Sequence, residues 1–360
     1  MGSIVYGGLD VHQKSISVCL LDCATGEIIE QQFANDQEKV IKEARRWKKL
    51  GEVRVCYEAS GAGFVLKRWL EAAGVWCDVI APSLMPKAPG DRVKTDRRDA
   101  KKLATLYRAG LLTSVRCPNE QEETVRAIVR LRDEVTRDMT RSKNRASKYV
   151  QTLGHRYDGV KWTLKHRDWL GKLPLDPTQR FVLLQHLDEV DHLVKRRRTI
   201  DDRIKELSDT ELYREKVQRL MCLRGVGLYT AMVILTETGD ARRFASAKAM
   251  MSYFGLVPRE SSSGERQSRG SITKAGNSRV RWVLTEAAWN QTSRVGNSQR
   301  LRKQRAGLSE KVVEISKKAE RRLHDKYWKL AQRKDRRVAV TAVAREMVGF
   351  IWSLLTLEAA

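Results

Sequence analysis

Three apolar runs follow one another at the start of the chain, Ile4–Asp10, Ser15–Asp22 and Ile28–Phe33, with only short polar turns between them. That spacing suggests strands linked by hairpins. Helical patterning over Gln37–Leu50 then separates them from a β-branched run, Val53–Tyr57. A second helix around Phe64–Ala73 precedes another strand, Trp76–Ile80. Beyond a Pro- and Gly-containing loop, Arg97–Ala109 is helical, with Ala100, Leu103, Ala104 and Tyr107 on one face. Early strands followed by strand–helix alternation predict a mixed α/β sheet flanked by helices.

The rest of the chain changes character. Val125, Ile128, Val135, Met139, Ala146, Tyr149 and Leu153 fall close to a seven-residue repeat, and Leu184, Leu187, Val194, Ile204 and Leu207 roughly do the same. Two long helices are expected, joined by a basic, Trp-containing connection near Gly154–Pro177. They form either an antiparallel hairpin within one subunit or a coiled coil between subunits. Residues 306–355 read as two terminal helices, the first densely basic at Lys317, Lys318, Arg321 and Arg322. The expected organisation is three regions: an α/β domain over 1–118, a helical coiled-coil linker over 119–215, and a helical domain over 216–360.

Charge narrows the class of partner. The net charge is +25, and +15 of it lies beyond residue 220. A surplus of that size suits a polyanion, because each Lys or Arg set on a phosphate releases counterions. A membrane suits this chain poorly: its longest apolar stretch, Val338 to Leu355, carries Arg345 and Glu346 at its middle and reads as a packed helix. Met1 leads straight into a strand pattern without a signal peptide. The six cysteines are scattered, with no Cys-x-x-Cys pair and no His at zinc spacing. Cys19, Cys56 and Cys77 sit inside apolar runs as small core residues, so a reduced cytoplasmic protein is expected.

Four carboxylates stand where chemistry is expected. Asp10 ends the first strand, and Glu58 ends the fourth, in Glu-Ala-Ser-Gly. Asp96 and Asp99 open the helix that follows, three residues apart and therefore on one face. If the first and fourth strands are neighbours, a helix lying across the sheet brings all four acids together. Like charges at close range raise each other's pKa, and hard divalent ions such as Mg²⁺ relieve them. Two such ions can clamp the attacking and leaving oxygens of a phosphodiester. Each acid also has a plain alternative, as a strand-end turn residue or, with Thr95 as N-cap, as a complement to the helix dipole.

Two further segments carry glycine and serine. In Leu223-Arg224-Gly225-Val226-Gly227-Leu228, Gly225 and Gly227 precede a helix, the shape of a helix-hairpin-helix whose backbone N–H groups approach a phosphate. A tight helix–helix turn is the alternative. Farther on, Ser261-Ser262-Ser263-Gly264 forms a loop flanked by Tyr253, Phe254 and Pro258 and surrounded by Arg259, Arg266, Arg269, Lys274, Arg279 and Arg281. Ser/Gly composition alone reads as a linker. The surrounding cations would suit a reacting phosphate, but a serine hydroxyl is a poor nucleophile unless activated, and no base is evident in this loop.

Gly8-Leu9-Asp10, Glu58-Ala59-Ser60-Gly61 and Lys94-Thr95-Asp96-Arg97-Arg98-Asp99-Ala100 resemble the ribonuclease-H-like (RuvC-like) domain of the bridge-RNA-guided insertion-sequence transposases, with its Asp-Glu-Asp-Asp tetrad. Ser60 stands where the family commonly has Thr. Gly255-Leu256-Val257-Pro258-Arg259, the Ser-Gly loop and Gly270…Lys274-Ala275-Gly276 are similar to the family's carboxyl-terminal transposase domain. The resemblance implies that Asp10, Glu58, Asp96 and Asp99 hold Mg²⁺. It implies that Ser263, directly before the loop glycine, is the nucleophile and forms a phosphoserine link, with Ser261 and Ser262 as neighbouring candidates. It further implies donor and target DNA, a structured guide RNA, and a homo-oligomer, dimer or tetramer, with composite active sites. The acids alone leave two rivals open: a nuclease or junction resolvase using metal-activated water, and a non-catalytic nucleic-acid scaffold.

Overall fold

The computed structural model describes residues 4–86, 95–263, 266–296 and 298–358, apart from the side chains of Ser262, Ser263, Arg266, Gln267 and Arg269. Lys94 and Gly264 of the segments quoted above lie outside the described residues. The chain divides into two compact units between Pro118 and Asn119.

The first unit is built on β1 (Ile4–Val11), β2 (Ser15–Asp22), β3 (Ile28–Ala34), β4 (Glu52–Glu58) and β5 (Trp76–Ile80) in the order β3-β2-β1-β4-β5. The first three strands pair antiparallel, whereas β4 lies parallel to both β1 and β5. This is the mixed sheet that the run spacing predicts, with the first and fourth strands adjacent. One face carries Val5, Leu9, Ile16, Val18, Val53, Val55 and Tyr57 against α1 (Gln37–Trp47) and α2 (Val65–Ala72). The other face receives α3 (Asp96–Arg108), whose buried Ala100, Leu103 and Ala104 point at the strands.

Small residues set how closely α3 can lie. Gly8 of β1 pairs with Cys19 on one side and Cys56 on the other, so a bare glycine between two short side chains leaves a shallow seat. A Cβ on Gly8 would stand 2.1 Å from the Ala100 carbonyl oxygen and 2.5 Å from the Ala104 nitrogen. Both obstacles are backbone, so no side-chain rotation relieves the clash. Gly8→Ala is therefore expected to lift α3, at an overpacking cost of about 1–3 kcal/mol or more. At roughly 2–4 °C per kcal/mol for a unit of this size class, thermal denaturation of the full chain reads the loss directly. A wild-type Tm would mean that α3 does not sit on this strand.

The second unit begins with α4 (Glu120–Thr152) and α6 (Pro177–Ser208), linked through the short α5 (Leu164–Gly171). Capping boxes start both long helices, Asn119 with Glu122 and Asp176 with Gln179, and Pro177 occupies the first turn of α6. They run antiparallel within one chain: the Tyr149 hydroxyl donates to the Gln179 carbonyl (3.1 Å) and Arg132 donates to Asp201 (2.9 Å). Following them are α7 (Arg214–Met221), α8 (Leu228–Thr238), α9 (Ala247–Tyr253), the hairpin of β6 (Pro258–Ser263) and β7 (Arg266–Ile272), α10 (Ser278–Trp289), α11 (Gln299–Arg305), α12 (Glu310–Ala331) and α13 (Arg336–Thr356).

No packing boundary falls at 215, where the sequence suggests one. Val129 and Met139 of α4 and Leu193 and Ile204 of α6 share a single core with Leu220, Met232, Val283 and Met347. The paired helices retain an apolar stripe after joining each other, and α8 covers it. Composition and length alone would let α13 cross a membrane, yet Val340, Val343, Met347, Val348 and Ile351 are buried in that core. An ion pair on the buried Glu237 locks the arrangement. Glu237 of α8 accepts from Arg130 of α4 (2.7 and 2.8 Å) and from Asn277, the N-cap of α10 (2.7 Å). Burial pushes the Glu237 carboxyl up, but Arg130, with Arg126 and Arg279, outweighs it and holds the group below the usual carboxylate range.

Candidate active site

Register explains why Asp10 and Glu58 stand on neighbouring strand ends. Leu9 of β1 pairs with Tyr57 of β4, so Asp10 and Glu58 follow at neighbouring strand ends. Gly8 and Cys56, two residues earlier on each strand, face α3, and the strand period of two directs Asp10 and Glu58 to that same side. Helix α3 starts immediately beside them. Its N-cap Thr95 accepts the Arg98 N–H (3.3 Å), and Asp96 and Asp99 fill the first turn, where the helix dipole favours negative charge. The capping role and the clustering role coexist.

Asp10, His12 and Asp96 bring ligand atoms within 4.8 Å of one another, forming a three-residue group among the described residues. His12 Nε2 lies 3.3 Å from Asp10 Oδ2 and 3.4 Å from Asp96 Oδ1. Glu58 and Asp99 stand outside that group, although the Asp99 charge acts on Asp10. Burial pushes the Asp10 carboxyl above its ordinary range; His12 opposes the shift, and Asp96 and Asp99 reinforce it. A divalent cation fits this donor set, since hard carboxylate oxygens and one imidazole converge where negative charge is already strained. His12 was not among the sequence candidates. Its signal was the i, i+2 spacing from Asp10 at a strand end, which puts both side chains on one face.

In the second unit, the glycine turn between α7 and α8 is tight. Gly225 has φ 83°, and a Cβ there would lie 2.2 Å from the Ala287 carbonyl of α10. Gly227 is the N-cap of α8 and supplies no side-chain cap. In front of it opens a cleft of about 880 Å³, lined by Gly225, Gly227, Thr230 and the exposed Arg294 and Arg300.

The serine segment is a two-stranded hairpin rather than a loop, with Ser261 opposite Ser268, Ser262 opposite Gln267 and Ser263 opposite Arg266. Its root is knotted. Gly255 (φ 65°) and Gly276 (φ 78°) pass so closely that a Cβ on either would lie 2.0 Å from a carbonyl oxygen, of Ala275 or Tyr253. Arg281, predicted as a phosphate contact, donates instead to the carbonyls of Phe254, Ala275 and Gly276 (3.1, 2.9 and 3.0 Å) and pins that knot. Burial lowers its pKa. Arg279 is likewise engaged, donating to Asp133 of α4 (3.0 Å). Both arginines position the hairpin base rather than standing open to a ligand. Arg259 and Lys274 are exposed, and Lys274 takes the left-handed backbone (φ 57°) beside the knot. The side chains of Ser263, Arg266 and Arg269 lie outside the described residues.

Comparison with known proteins finds two family models that match parts of the chain. Residues 217–306 match the model described as the transposase IS116/IS110/IS902 family, and residues 7–154 match a transposase model of the IS110 DEDD type. A transposase of Sinorhizobium fredii, y4qE, is 40% identical over 85% of this chain and 76% of its own length. The transposase for insertion sequence element IS1533 of Leptospira borgpetersenii is 32% identical over 90% of this chain and 95% of its own. That for IS1111A of Coxiella burnetii is 24% identical over 97% and 89%. With both transposase models matched and relatives up to 40% identical named as transposases, the chain belongs to the IS116/IS110/IS902 family of insertion-sequence transposases, enzymes that cleave and rejoin DNA.

Proposed function

We propose that this transposase is an RNA-guided recombinase that exchanges DNA strands through a covalent phosphoserine at Ser263, with Mg²⁺ held by Asp10, Glu58, Asp96 and Asp99. The observation that carries the reading is the convergence of Asp10 and Asp96 beneath the seated α3. His12 joins them as a further ligand or as the group that orients Asp10. Mg²⁺, when bound, supplies positive charge to the reacting phosphate.

In the cleavage step the Ser263 hydroxyl oxygen bonds to phosphorus and the bond from phosphorus to one DNA oxygen breaks. The serine proton is released, and the departing DNA oxygen takes up a proton. Attack by a DNA hydroxyl on the phosphoserine reverses the step and rejoins strands without an external energy source. Arg259 and Lys274, at the hairpin base, offer charge to the strand, and Arg266 and Arg269 extend that role along β7. The α7–α8 glycine turn acts as a helix-hairpin-helix: Gly225 and Gly227 expose backbone N–H groups to a phosphate, with Arg294 and Arg300 alongside.

In this division of labour, residues 1–118 supply metal chemistry, and the unit from 119 onward supplies the serine and most phosphate contacts, with the paired long helices of 119–215 packed into it. Family resemblance supports the guide RNA, donor and target DNA, and a homo-oligomer in which acids and serine come from different subunits.

Incubating protein, guide RNA and labelled donor and target DNA with Mg²⁺, followed by a detergent quench, is expected to give a denaturant-resistant protein–DNA adduct. Chelation of the metal before mixing should remove it. Nicked DNA with no adduct would favour the hydrolytic nuclease.

A further inference from the structure

The connection between α4 and α6 holds a second chemical feature, separate from both the acids and the serine hairpin. A cavity of about 310 Å³ lies at the carboxyl-terminal end of α4, walled by Tyr157, Trp162, His166 and Trp169 and floored by Val150 and Leu170. The rings pack on one another: Tyr157 lies 4.8 Å from His166 and 5.1 Å from Trp169, and His166 stacks on Trp169 at 5.7 Å. Ser147, Gln151 and Lys161 add polar groups to the wall, and among the described residues no carboxylate lines it.

Trp162 adopts φ 67°, a backbone region that a bulky residue enters only at a cost. What holds it there is visible. The Trp162 N–H donates to His166 Nδ1 (3.1 Å), and the next residue, Thr163, caps α5 through the His166 N–H (3.3 Å). Burial, with Lys161 and Arg167, lowers the His166 pKa, and a neutral ring that accepts at Nδ1 carries its proton on Nε2. Strain maintained by a dedicated hydrogen bond and aimed at a cavity is a common mark of a binding site.

Charge around the cavity points to the ligand. Residues 141–170 contain eight Lys and Arg against two Asp. Lys143 and Arg167 both lie 5.5 Å from the Trp162 ring centre, and Arg197 adds further positive charge beside Lys143. Aromatic walls with hydrogen-bonding groups at their edges, inside a field of cations, suit a planar heteroaromatic group attached to phosphate.

We propose that this cavity receives one unpaired nucleobase of a single-stranded nucleic acid, stacked against Tyr157 and Trp162, with the adjoining phosphate on Lys161. A duplex cannot supply the base, so the site selects looped or displaced strand. Stacking serves an RNA strand and an opened DNA strand alike, and the assay below distinguishes them. Because the readout is binding, the proposal stands or falls independently of strand transfer.

The test uses the full chain with unstructured single-stranded RNA and DNA 12-mers, oligo-uridine and oligo-thymidine, and a 12-base-pair DNA duplex as reference. Trp162→Gly removes the ring and places the residue best suited to φ 67° there, so the fold should hold, and circular dichroism and Tm check that it does. Single-strand affinity is expected to fall about tenfold while duplex affinity stays unchanged. Loss on RNA alone assigns the site to RNA; loss on DNA alone or on both includes opened DNA. Ser147→Phe, which fills the cavity from α4, should reproduce the loss. Leu164→Ala, on α5 but pointing to solvent at 90% exposure, should not change binding. Equal loss on single strands and duplex, wild-type affinity in Trp162→Gly or Ser147→Phe, or an equal loss in Leu164→Ala would overturn the proposal.

Discussion

Asp10→Asn is expected to abolish strand transfer, a loss on the order of 10³-fold or more, while DNA affinity stays near wild type. The substitution keeps the volume and removes one negative charge from the group in which Asp10, His12 and Asp96 converge. The same variant should be more stable than the wild type in metal-free buffer. Burial, reinforced by Asp96 and Asp99, raises the Asp10 carboxyl in the folded chain. A carboxyl with a raised folded pKa favours the folded state at low pH and loses that contribution as pH rises through the folded value. At neutral pH the ionised Asp10 therefore opposes folding, and Asn relieves it. Strand-transfer gels and thermal scans without divalent metal check the two halves. Normal recombination by Asp10→Asn would show that the acids are not the metal site, and a lower metal-free Tm would show that their mutual repulsion is unimportant.

Ser263→Ala should remove both the denaturant-resistant adduct and the rejoined product, again by at least on the order of 10³-fold. Serine attack stores the phosphodiester energy in a bond that a DNA hydroxyl can reverse, whereas attack by water discards it. Nucleic-acid binding should survive, because one hydroxyl adds little beside many phosphate contacts. The hairpin gives the prediction a second edge. Ser261, Ser262 and Ser263 are successive residues of one strand. A requirement that moves to Ser261 or Ser262 would keep the mechanism and shift the nucleophile along β6. Wild-type cleavage by Ser263→Ala would hand the chemistry to water.

The sheet was legible because its signals are local. Apolar runs, the turns between them and the Thr95 cap depend on residues a few positions apart, and adjacency of β1 and β4 was the one long-range condition that the acids required. Side-chain partners far along the chain were not legible. Arg279 looks like a cation beside a serine loop until Asp133, 146 positions away, takes its guanidinium. Arg281 looks the same until the fold brings three carbonyls to it. The Ser/Gly composition reads as a linker because strand pairing in β6 and β7 is fixed by the knot at Gly255 and Gly276, not by β-propensity. The proximity of His12 to Asp96 depended on how deeply α3 sinks onto Gly8, a distance that no periodicity encodes.

The shared core of the long helices with the carboxyl-terminal helices also bears on how chains of this kind can be shuffled. A crossover between two relatives at 118/119 joins units that each keep their own interior. A crossover near 215 separates Val129, Met139, Leu193 and Ile204 from Met232, Val283 and Met347, and asks two independently drifted halves to interdigitate. Native-density packing tolerates such mismatch poorly. Chimeras exchanged at 118/119 should be recovered as folded protein far more often than those exchanged at 215, so the segment from 119 onward is inherited as one heritable block.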